Sequence, residues 1–264
     1  MDVAGKVVVV TGGGNGIGAA MCRKFAQAGA EHVVVSDIDA AAADSVAAEI
    51  GGTAIACDVA SEDSVVELVK AAEQKCGRID IFCSNAGITV KGGLETPNDD
   101  WQKMWDVNVM SRLYAARAVI PAMLKQGSGY LVTTASAAGV LTEIGSASYS
   151  ATKHADVALA EWLSVRYGRD GIGVSCVCPL GVKTDFLDDD DPIHRFLHMH
   201  AVTPDDVADS ILTGIREERF LILPHPEVAE FFAMKTEDHD RWISGFQRLR
   251  QKLTREQKKR AKAA

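Results

Sequence analysis

The stretch VVVVTGGGNGIG at residues 7–18 joins a run of four valines to a turn that contains five glycines. A continuous β-branched run is typical of a strand that is buried on both faces. Residues 19–28, which follow, carry helix-forming side chains at helical spacing. A glycine turn between a strand and a helix lets the backbone approach a pyrophosphate, to which the helix N-terminus offers free N–H groups. The stretch therefore predicts a dinucleotide-binding turn in an α/β fold.

Apolar runs of the same kind recur along the chain and alternate with helix-forming segments such as residues 64–75 and 101–124. The predicted strands are residues 7–10, 32–36, 53–57, 79–83, 130–134, 172–177 and 220–223. Most of these runs are apolar throughout, as in parallel sheets that helices cover on both faces. Repeated strand–helix units with right-handed crossovers predict a single-domain, Rossmann-like, doubly wound parallel sheet of seven strands.

The alternation ends after the seventh strand and is interrupted once before it. We predict a dinucleotide-binding and catalytic domain over residues 1–226, followed by a C-terminal helical extension with a basic tail over residues 227–264. Residues 184–203 lie between the sixth and seventh strands and lack a regular pattern. We expect them to form a substrate loop that orders over cofactor and substrate.

Asp37 ends the second predicted strand and lies 19 residues after Gly18. An acidic side chain about 20 residues beyond a glycine turn is placed to accept hydrogen bonds from the adenosine ribose of a dinucleotide. The same carboxylate would repel a 2′-phosphate, so the sequence favours NAD over NADP as the cofactor. The alternative is that Asp37 only caps the next helix.

A tyrosine and a lysine, Tyr149 and Lys153, lie four residues apart in a predicted helix, which puts them on one face. A neighbouring ammonium favours the phenolate and is expected to lower the pKa of Tyr149, making it a general acid/base for alcohol–carbonyl interconversion. Ser136 follows the fifth predicted strand, where a hydroxyl could hold a substrate oxygen. Asn85 follows the fourth strand, and Asn108 lies in the helix after it.

Together these motifs resemble the classical short-chain dehydrogenase/reductase family over about residues 6–224. The motifs that carry the resemblance are TGGGNGIG at 11–18, Asp58-Val59, SNAG at 84–87, Asn108-Val109, Ser136, YSATK at 149–153 and Pro179 through Thr184. One departure lies after the sixth strand, where the family's usual Pro-Gly is Pro179-Leu180.

The resemblance implies a role for each matching residue. Tyr149 would exchange the hydroxyl proton, Lys153 would lower its pKa and hold the nicotinamide ribose, Ser136 would orient the reacting oxygen, and Asn108 would anchor a water that leads to Lys153. The cofactor-binding residues implied are Gly12, Asn15, Gly16, Ile17, Gly18, Asp37, Asp58, Val59, Asn85, Ala86, Gly87, Tyr149, Lys153, Pro179, Val182 and Thr184. The family's helix-mediated assemblies imply a homo-oligomer, a tetramer or a dimer.

The family's substrate cleft lies between the loops after the fourth, fifth and sixth strands. Apolar side chains in those loops are Ile88, Val90, Leu94, Val140, Leu141, Ile144, Phe186, Leu187, Phe196, Leu197 and Met199. An apolar cleft suits an apolar ligand, so we expect a hydrophobic secondary alcohol or its ketone, of steroid, terpenoid or aryl-alkyl type. The alternatives are an epimerase or enoyl reductase on the same scaffold, and a catalytically silent NAD(H)-binding regulator or scaffold.

Charge, apolar run length and residue spacing argue against several other classes of protein. The formal net charge of −8 argues against nucleic-acid binding, although residues 248–264 carry eight basic residues and one acid. No apolar run is long enough to span a membrane and no leader is visible at the start, so we expect a cytoplasmic protein. The acidic run at 188–191 lacks the alternating spacing of a calcium loop. His194 and His198 are four residues apart, but no acidic residue of HExxH type lies between them, so no metal is expected.

Overall fold

The computed structural model describes residues 1–184, residue 186 and residues 201–261, with side chains as far as residue 256. Its strands are β1 (Val7–Thr11), β2 (His32–Asp37), β3 (Thr53–Ala56), β4 (Ile81–Ser84), β5 (Gly129–Thr134), β6 (Ile172–Val177) and β7 (Leu221–Ile222). Its helices are α1 (Gly16–Gln27), α2 (Ala40–Ile50), α3 (Glu62–Cys76), α4 (Asn98–Trp105), α5 (Ser111–Gln126), α6 (Ala147–Tyr167), α7 (Pro204–Arg216), α8 (Pro226–Glu237) and α9 (His239–Ala261).

All seven strands pair in parallel in the order β3-β2-β1-β4-β5-β6-β7, which confirms the predicted doubly wound sheet. The chain proceeds outward from β1 to β3 and then crosses back to β4 on the other side of β1. Loops after β1 and β4 therefore diverge, and a crevice opens at the carboxyl ends of these two strands.

Helices cover both faces of the sheet because the central strands are apolar on both sides. In β1, Val8 and Val10 pack in a core with α1, α2 and α7, whereas Val9 belongs to a second core with α3, α5 and α6. All five residues of β1 are buried. This explains why its sequence is a continuous apolar run rather than an alternating one.

One predicted helix is wrong in detail. Residues 101–124 were expected to form a single helix, but a π-helical turn at Asp106–Met110 separates α4 from α5. A π turn inserts one extra residue into the helix and is found frequently at functional sites. The residue at its centre is Asn108, whose side-chain contacts are described below.

The two helices after β7 pack back onto the main body. Val228 of α8 is fully buried in the core with α5 and α6, and Phe231 and Trp242 pack against that core. Lys235 of α8 donates hydrogen bonds from Nζ to the carbonyl oxygens of Val140 and Leu141, at 2.8 and 3.0 Å. Among the helices of the described residues, none has both the length and the apolar character to cross a membrane.

A glycine in β6 leaves room for the ring of Tyr130, the largest fully buried side chain among the described residues. A Cβ added to Gly173 would lie 2.4 Å from two ring carbons of Tyr130, whereas one added to Gly168 would meet nothing within 4 Å. We expect Gly173→Ala to lower the free energy of unfolding by about 1–3 kcal/mol through overpacking. Gly168→Ala is the matched control and should leave stability unchanged or slightly raised.

Urea denaturation of the two variants measures the difference. Equal free energies of unfolding would show that Tyr130 moves aside without cost, contrary to this packing.

Candidate functional site

A cavity of about 1080 Å³ opens at the carboxyl ends of the central strands. The predicted site residues that line it are Gly12, Asn15, Gly16, Ile17, Asp37, Asp58, Val59, Asn85, Ala86, Gly87, Ser136, Tyr149, Lys153, Pro179, Val182 and Thr184. Gly18 and Asn108 are the two predicted residues that lie behind its wall. The cavity therefore gathers residues that are more than 170 positions apart in the chain.

The glycine turn is held to the neighbouring strand by backbone and side-chain contacts. Gly12 has φ +64°, and a Cβ there would lie 2.8 Å from the Cα of Ala86. Asn85 donates from Nδ2 to the carbonyl oxygens of Thr11 and Gly12, at 3.1 and 3.2 Å. A Cβ on Gly18 would lie 2.0 Å from the Gly12 carbonyl oxygen, so Gly18 permits α1 to pack under the turn rather than facing the cavity.

The first turn of α1 is suited to an anion. Asn15 precedes the helix and makes no side-chain cap, and the first turn contains no acidic residue. The uncapped N–H groups and the positive end of the helix dipole therefore face this part of the cavity without a competing charge.

Asp37 ends β2 beside the same turn. Its Oδ2 accepts from the N–H of Gly14 at 3.0 Å, and its Oδ1 accepts from the N–H of Asp39 at 3.1 Å. The helix that follows is capped by Asp39, which accepts from the N–H of Ala42. The capping alternative for Asp37 is therefore excluded, and its carboxylate lies in the cavity wall.

Ser136, Tyr149 and Lys153 meet where β5 and α6 approach one another. Ser146 caps α6 by accepting from the N–H of Tyr149 at 3.1 Å, and it donates to the carbonyl oxygen of Val90 at 2.6 Å. Lys153 donates from Nζ to the carbonyl oxygen of Thr134 at 3.0 Å. Its Nζ lies 5.7 Å from the centre of the Tyr149 ring.

Burial dominates the protonation of this group. It raises the pKa of the Tyr149 phenol well above its ordinary range, and a hydrogen bond with Ser136 opposes the shift only in part. Burial also lowers the pKa of Lys153 to about 8, against the opposing effect of Asp156. The expectation that the Tyr149 pKa would be lowered is thus wrong for this structure, because desolvation outweighs the Ser136 hydrogen bond and the charge of Arg112.

Asn108 explains the π turn. It is fully buried, accepts at Oδ1 from the N–H of Ile88 at 2.9 Å and donates from Nδ2 to the Ile88 carbonyl oxygen at 3.0 Å. Nδ2 also lies 3.2 Å from Oγ1 of Thr152. The extra residue of the turn directs this amide inward, so that Asn108 fixes the loop after β4 to helix α6.

Several expected substrate-cleft residues lie elsewhere. Val140 and Leu141 are buried in the core beneath the loop after β5, and Leu94 is 98% exposed on the surface. Ile88 and Phe186 do line the cavity, together with Leu180, and the Phe186 ring centre is 5.8 Å from that of Tyr149. Leu187, Phe196, Leu197 and Met199 lie outside the described residues, as do the acidic run at 188–191 and the histidines at 194–200.

Sequence reasoning missed His225, which lies just after β7 and is buried. Its Nδ1 accepts from the N–H of Leu180 at 3.1 Å, and its Nε2 lies 2.9 Å from the carbonyl oxygen of Gly181. His225 therefore holds the loop in which Leu180 replaces the family's usual glycine. A lone histidine after a short strand carries no sequence signal of this role.

Charged side chains also line the cavity, among them Lys91, Lys103 and Glu143. Within residues 1–184, 186 and 201–261, no cluster of three or more His, Cys, Asp or Glu side chains could hold a metal ion. All six cysteines are free. Cys176 in β6 and Cys178, just after it, have their sulfur atoms 4.0 Å apart.

Comparison with known proteins agrees with the geometry of the cavity. Residues 6–192 match the model of the family described as short chain dehydrogenase. The chain belongs to the short-chain dehydrogenase family. This membership confirms the family predicted from the motifs and, with it, the class of enzyme, an oxidoreductase that acts on CH–OH groups with NAD.

Three curated relatives illustrate the range of the family. The chain is 38% identical to the meso-2,3-butanediol dehydrogenase of Serratia marcescens over 184 residues, which are 68% of this chain and 72% of that protein. It is 32% identical to the 1-deoxy-11-beta-hydroxypentalenate dehydrogenase of Streptomyces exfoliatus over 86% of both chains. It is also 38% identical to the short chain aldehyde dehydrogenase 1 of Euphorbia lathyris, of which the match spans 66%.

Solved structures share the fold over more of the chain. A short-chain dehydrogenase/reductase from Burkholderia phymatum, solved with NAD, has 30% identity and a TM-score of 0.83 over 91% of this chain and 96% of that one. A 7α-hydroxysteroid dehydrogenase, solved with NADH and 7-oxo glycochenodeoxycholic acid, has 30% identity and a TM-score of 0.77 over 84% and 93% of the two chains.

The contacts of Asn108 predict a large loss of stability when they are removed. Asn108→Ala leaves the partly buried N–H and carbonyl of Ile88 without their partners, which should cost about 1–3 kcal/mol of unfolding free energy. Asn98→Ala, on an exposed residue at the start of α4, is the control and should cost much less. Urea denaturation tests this, and equal losses in the two variants would contradict the assigned contacts.

Proposed function

We propose that this protein interconverts a hydrophobic secondary alcohol and its ketone by hydride transfer to and from NAD. The observation that carries the proposal is the meeting of Ser136, Tyr149 and Lys153 in one cavity with the glycine turn and Asp37. A dinucleotide site and a proton-transfer site that share one cavity are what hydride exchange with a bound alcohol requires.

The cavity fits NAD on three independent grounds. The uncapped first turn of α1 can receive the pyrophosphate. The carboxylate of Asp37 can accept from the adenosine ribose, and Asp58 and Val59 border the same part of the cavity, where an adenine would lie. When bound, NAD supplies the nicotinamide carbon that accepts the hydride, and Asn85, Ala86, Gly87, Pro179, Val182 and Thr184 would surround that end.

The chain's own residues would handle the proton. Ser136 and Tyr149 both line the cavity, and their hydroxyl groups would hold the substrate oxygen between them. Tyr149 would take the hydroxyl proton during oxidation and return it during reduction. Lys153 would stabilise the phenolate through its charge, and Asn108 would hold the wall behind Lys153 and anchor the water that passes the proton outward.

The raised pKa of Tyr149 sets the direction of the pH dependence. Oxidation requires the phenolate, so its rate should rise with pH through the alkaline range. Reduction requires the phenol, which persists at neutral pH. The rate of reduction should therefore be near its maximum at neutral pH.

The proposed substrate is apolar in its greater part. Ile88, Val107, Leu180 and Phe186 line the cavity, with Phe186 beside Tyr149, and apolar walls favour a hydrophobic ligand. The names of relatives support this class, since they include a terpenoid-type pentalenate dehydrogenase and a steroid dehydrogenase. A preference for sugars or short hydroxy acids in a kinetic survey would contradict it.

We also propose an oligomeric state, a location and a domain division for this protein. We propose a homo-oligomer, because α4 and α6 leave Trp105 and Trp162 exposed by 41% and 57%. We propose a cytoplasmic location on the strength of six free cysteines. We also keep the division into a catalytic domain at 1–226 and an extension at 227–264, with residues 184–203 as the substrate loop.

The competing functions differ in the reaction that each would catalyse. A silent regulator would bind NADH without turnover, and an enoyl reductase would reduce a carbon–carbon double bond but not a ketone. The retention of Ser136, Tyr149 and Lys153 in one cluster favours the alcohol–ketone reaction over both.

Replacing Tyr149 tests the general acid/base. Tyr149→Phe should reduce kcat for oxidation of hydrophobic secondary alcohols by about 10²- to 10⁴-fold, because the proton loses its acceptor. NADH should still bind. Tyr167→Phe is the control, since Tyr167 lies on the same helix but packs on Trp162 away from the cavity. Equal activity of Tyr149→Phe and the wild type would refute the assignment.

Replacing Asp37 tests the choice of cofactor. Asp37→Asn weakens a charge-assisted contact with the ribose, so kcat/KM for NAD should fall about 10- to 100-fold. The loss of repulsion should raise kcat/KM for NADP. Asp39→Asn removes a nearby charge while keeping a residue that can cap α2, and should change neither value. An Asp37→Asn variant that still discriminates against NADP as the wild type does would contradict the ribose contact.

A further inference from the structure

Behind Lys153 lies a buried ion cluster that the reaction described above does not use. Asp156 is one helical turn after Lys153 on α6 and is fully buried. Its Oδ2 lies 3.4 Å from Nζ of Lys153, and its Oδ1 lies 3.2 Å from Nε of Arg112 on α5. One carboxylate thus lies between two cations in the protein interior.

Arg112 is held in place by further contacts. Its Nη1 donates to the carbonyl oxygen of Val107 at 2.8 Å and to Oγ of Ser111 at 2.7 Å. Its Nη2 donates to the carbonyl oxygen of Thr134 at 3.4 Å, the same oxygen that accepts from Lys153. Arg112 and Lys153 therefore share both a carboxylate and a carbonyl, and neither cation can move without disturbing the other.

Such a cluster costs more folding free energy than apolar contacts would if it served only to join α5 to α6. Burying charged groups carries a large desolvation penalty, and well-packed apolar residues of similar volume often stabilise a protein as well or better. The cluster contacts the one lysine whose charge the proposed reaction needs. Its position therefore indicates that the cluster helps to maintain the positive charge of Lys153.

We propose that Asp156, fixed by Arg112, is a positioning residue that keeps the Lys153 ammonium charged and directed toward Thr134 and the Tyr149 ring. The inference rests on the proposed function of Lys153 but concerns a pair of residues that take no part in binding or proton transfer. Asp156 acts through Lys153 and lies outside the cavity wall.

The charges around Lys153 determine whether the loss of Asp156 would raise or lower the pKa of the lysine. From α6 it faces Asp156 and Tyr149, from α5 Arg112, and from β6 Cys176, whose thiol pKa is itself raised well above its ordinary value. Burial and Arg112 lower the pKa of Lys153, while the Asp156 carboxylate is the principal group that raises it. Without that carboxylate, Lys153 would lose its proton at a lower pH.

The test measures NADH affinity as a function of pH, through the fluorescence of the bound nucleotide, alongside the pH profile of kcat for reduction. In the wild type, both should fall at alkaline pH as Lys153 loses its charge. In Asp156→Asn, the fall should begin about one to three pH units lower, the shift expected when a contacting carboxylate is lost. Arg112→Lys keeps a cation beside Asp156, so this variant should retain pH profiles close to those of the wild type.

A matched control separates this role from a structural one. Asp80 is also buried, accepts from the N–H of Val7 at 2.9 Å and pairs with Arg78, at the amino ends of β1 and β4 and so at the opposite end of the strands from the cavity. Asp80→Asn should destabilise the fold but leave both pH profiles in place. If Asp156→Asn does not fold, the double variant Arg112→Met/Asp156→Leu replaces the charges with apolar groups, and its alkaline fall should also move to lower pH.

The outcomes are distinguishable from failure of the proposed function. NADH affinity that is constant over the alkaline range, or whose fall lies at the same pH in the wild type and in Asp156→Asn or the double variant, would overturn the inference. Shifted NADH affinity without turnover of any alcohol would support the Asp156 role and refute the proposed reaction.

Discussion

The contact on which the site depends is the close approach of Gly18 to the carbonyl of Gly12. It allows α1 to begin directly beneath the glycine turn, because any side chain at Gly18 would overlap that oxygen. The Asn85 amide then joins the same carbonyl to the loop after β4. The contact lies where the strand order reverses, so one small region fixes the strand, the helix and the neighbouring loop that together form the crevice. Every other part of the site is arranged around this junction.

The strands and the nucleotide-binding turn could be predicted because their causes are local. Buried parallel strands need continuous apolar runs, and a close backbone approach needs glycine. The π turn could not be predicted, since the helical pattern of residues 101–124 continues through it and the reason for it lies in the loop at Ile88. The apolar loop residues Val140 and Leu141 were misplaced for a related reason. Composition cannot distinguish the wall of a cleft from the core beneath it.

The pKa of Tyr149 shows a similar limit. The spacing of Tyr149 and Lys153 correctly places the two side chains on one helix face, but it contains no information on how deeply α6 is buried. Burial raises the pKa of the phenol and lowers that of the ammonium. Both shifts favour neutral side chains, so a dry site of this kind works against the charged pair that proton transfer requires. An additional buried carboxylate beside the lysine offsets this effect, and Asp156 occupies that position.

The two loops that border the substrate end of the cavity are fixed by residues from the end of the chain. Lys235 of α8 binds the carbonyl groups of Val140 and Leu141 in the loop that begins at Ser136. His225, one residue before α8, binds both sides of the Leu180–Gly181 peptide region after β6. Because α8 is itself anchored through Val228 in the core, a shift of this helix would move both loops. The adenosine end of the cavity is built by the first 90 residues, whereas the shape of its substrate end depends on a helix that follows the last strand. Variation in that helix can therefore alter substrate preference without disturbing the adenosine part of the dinucleotide site.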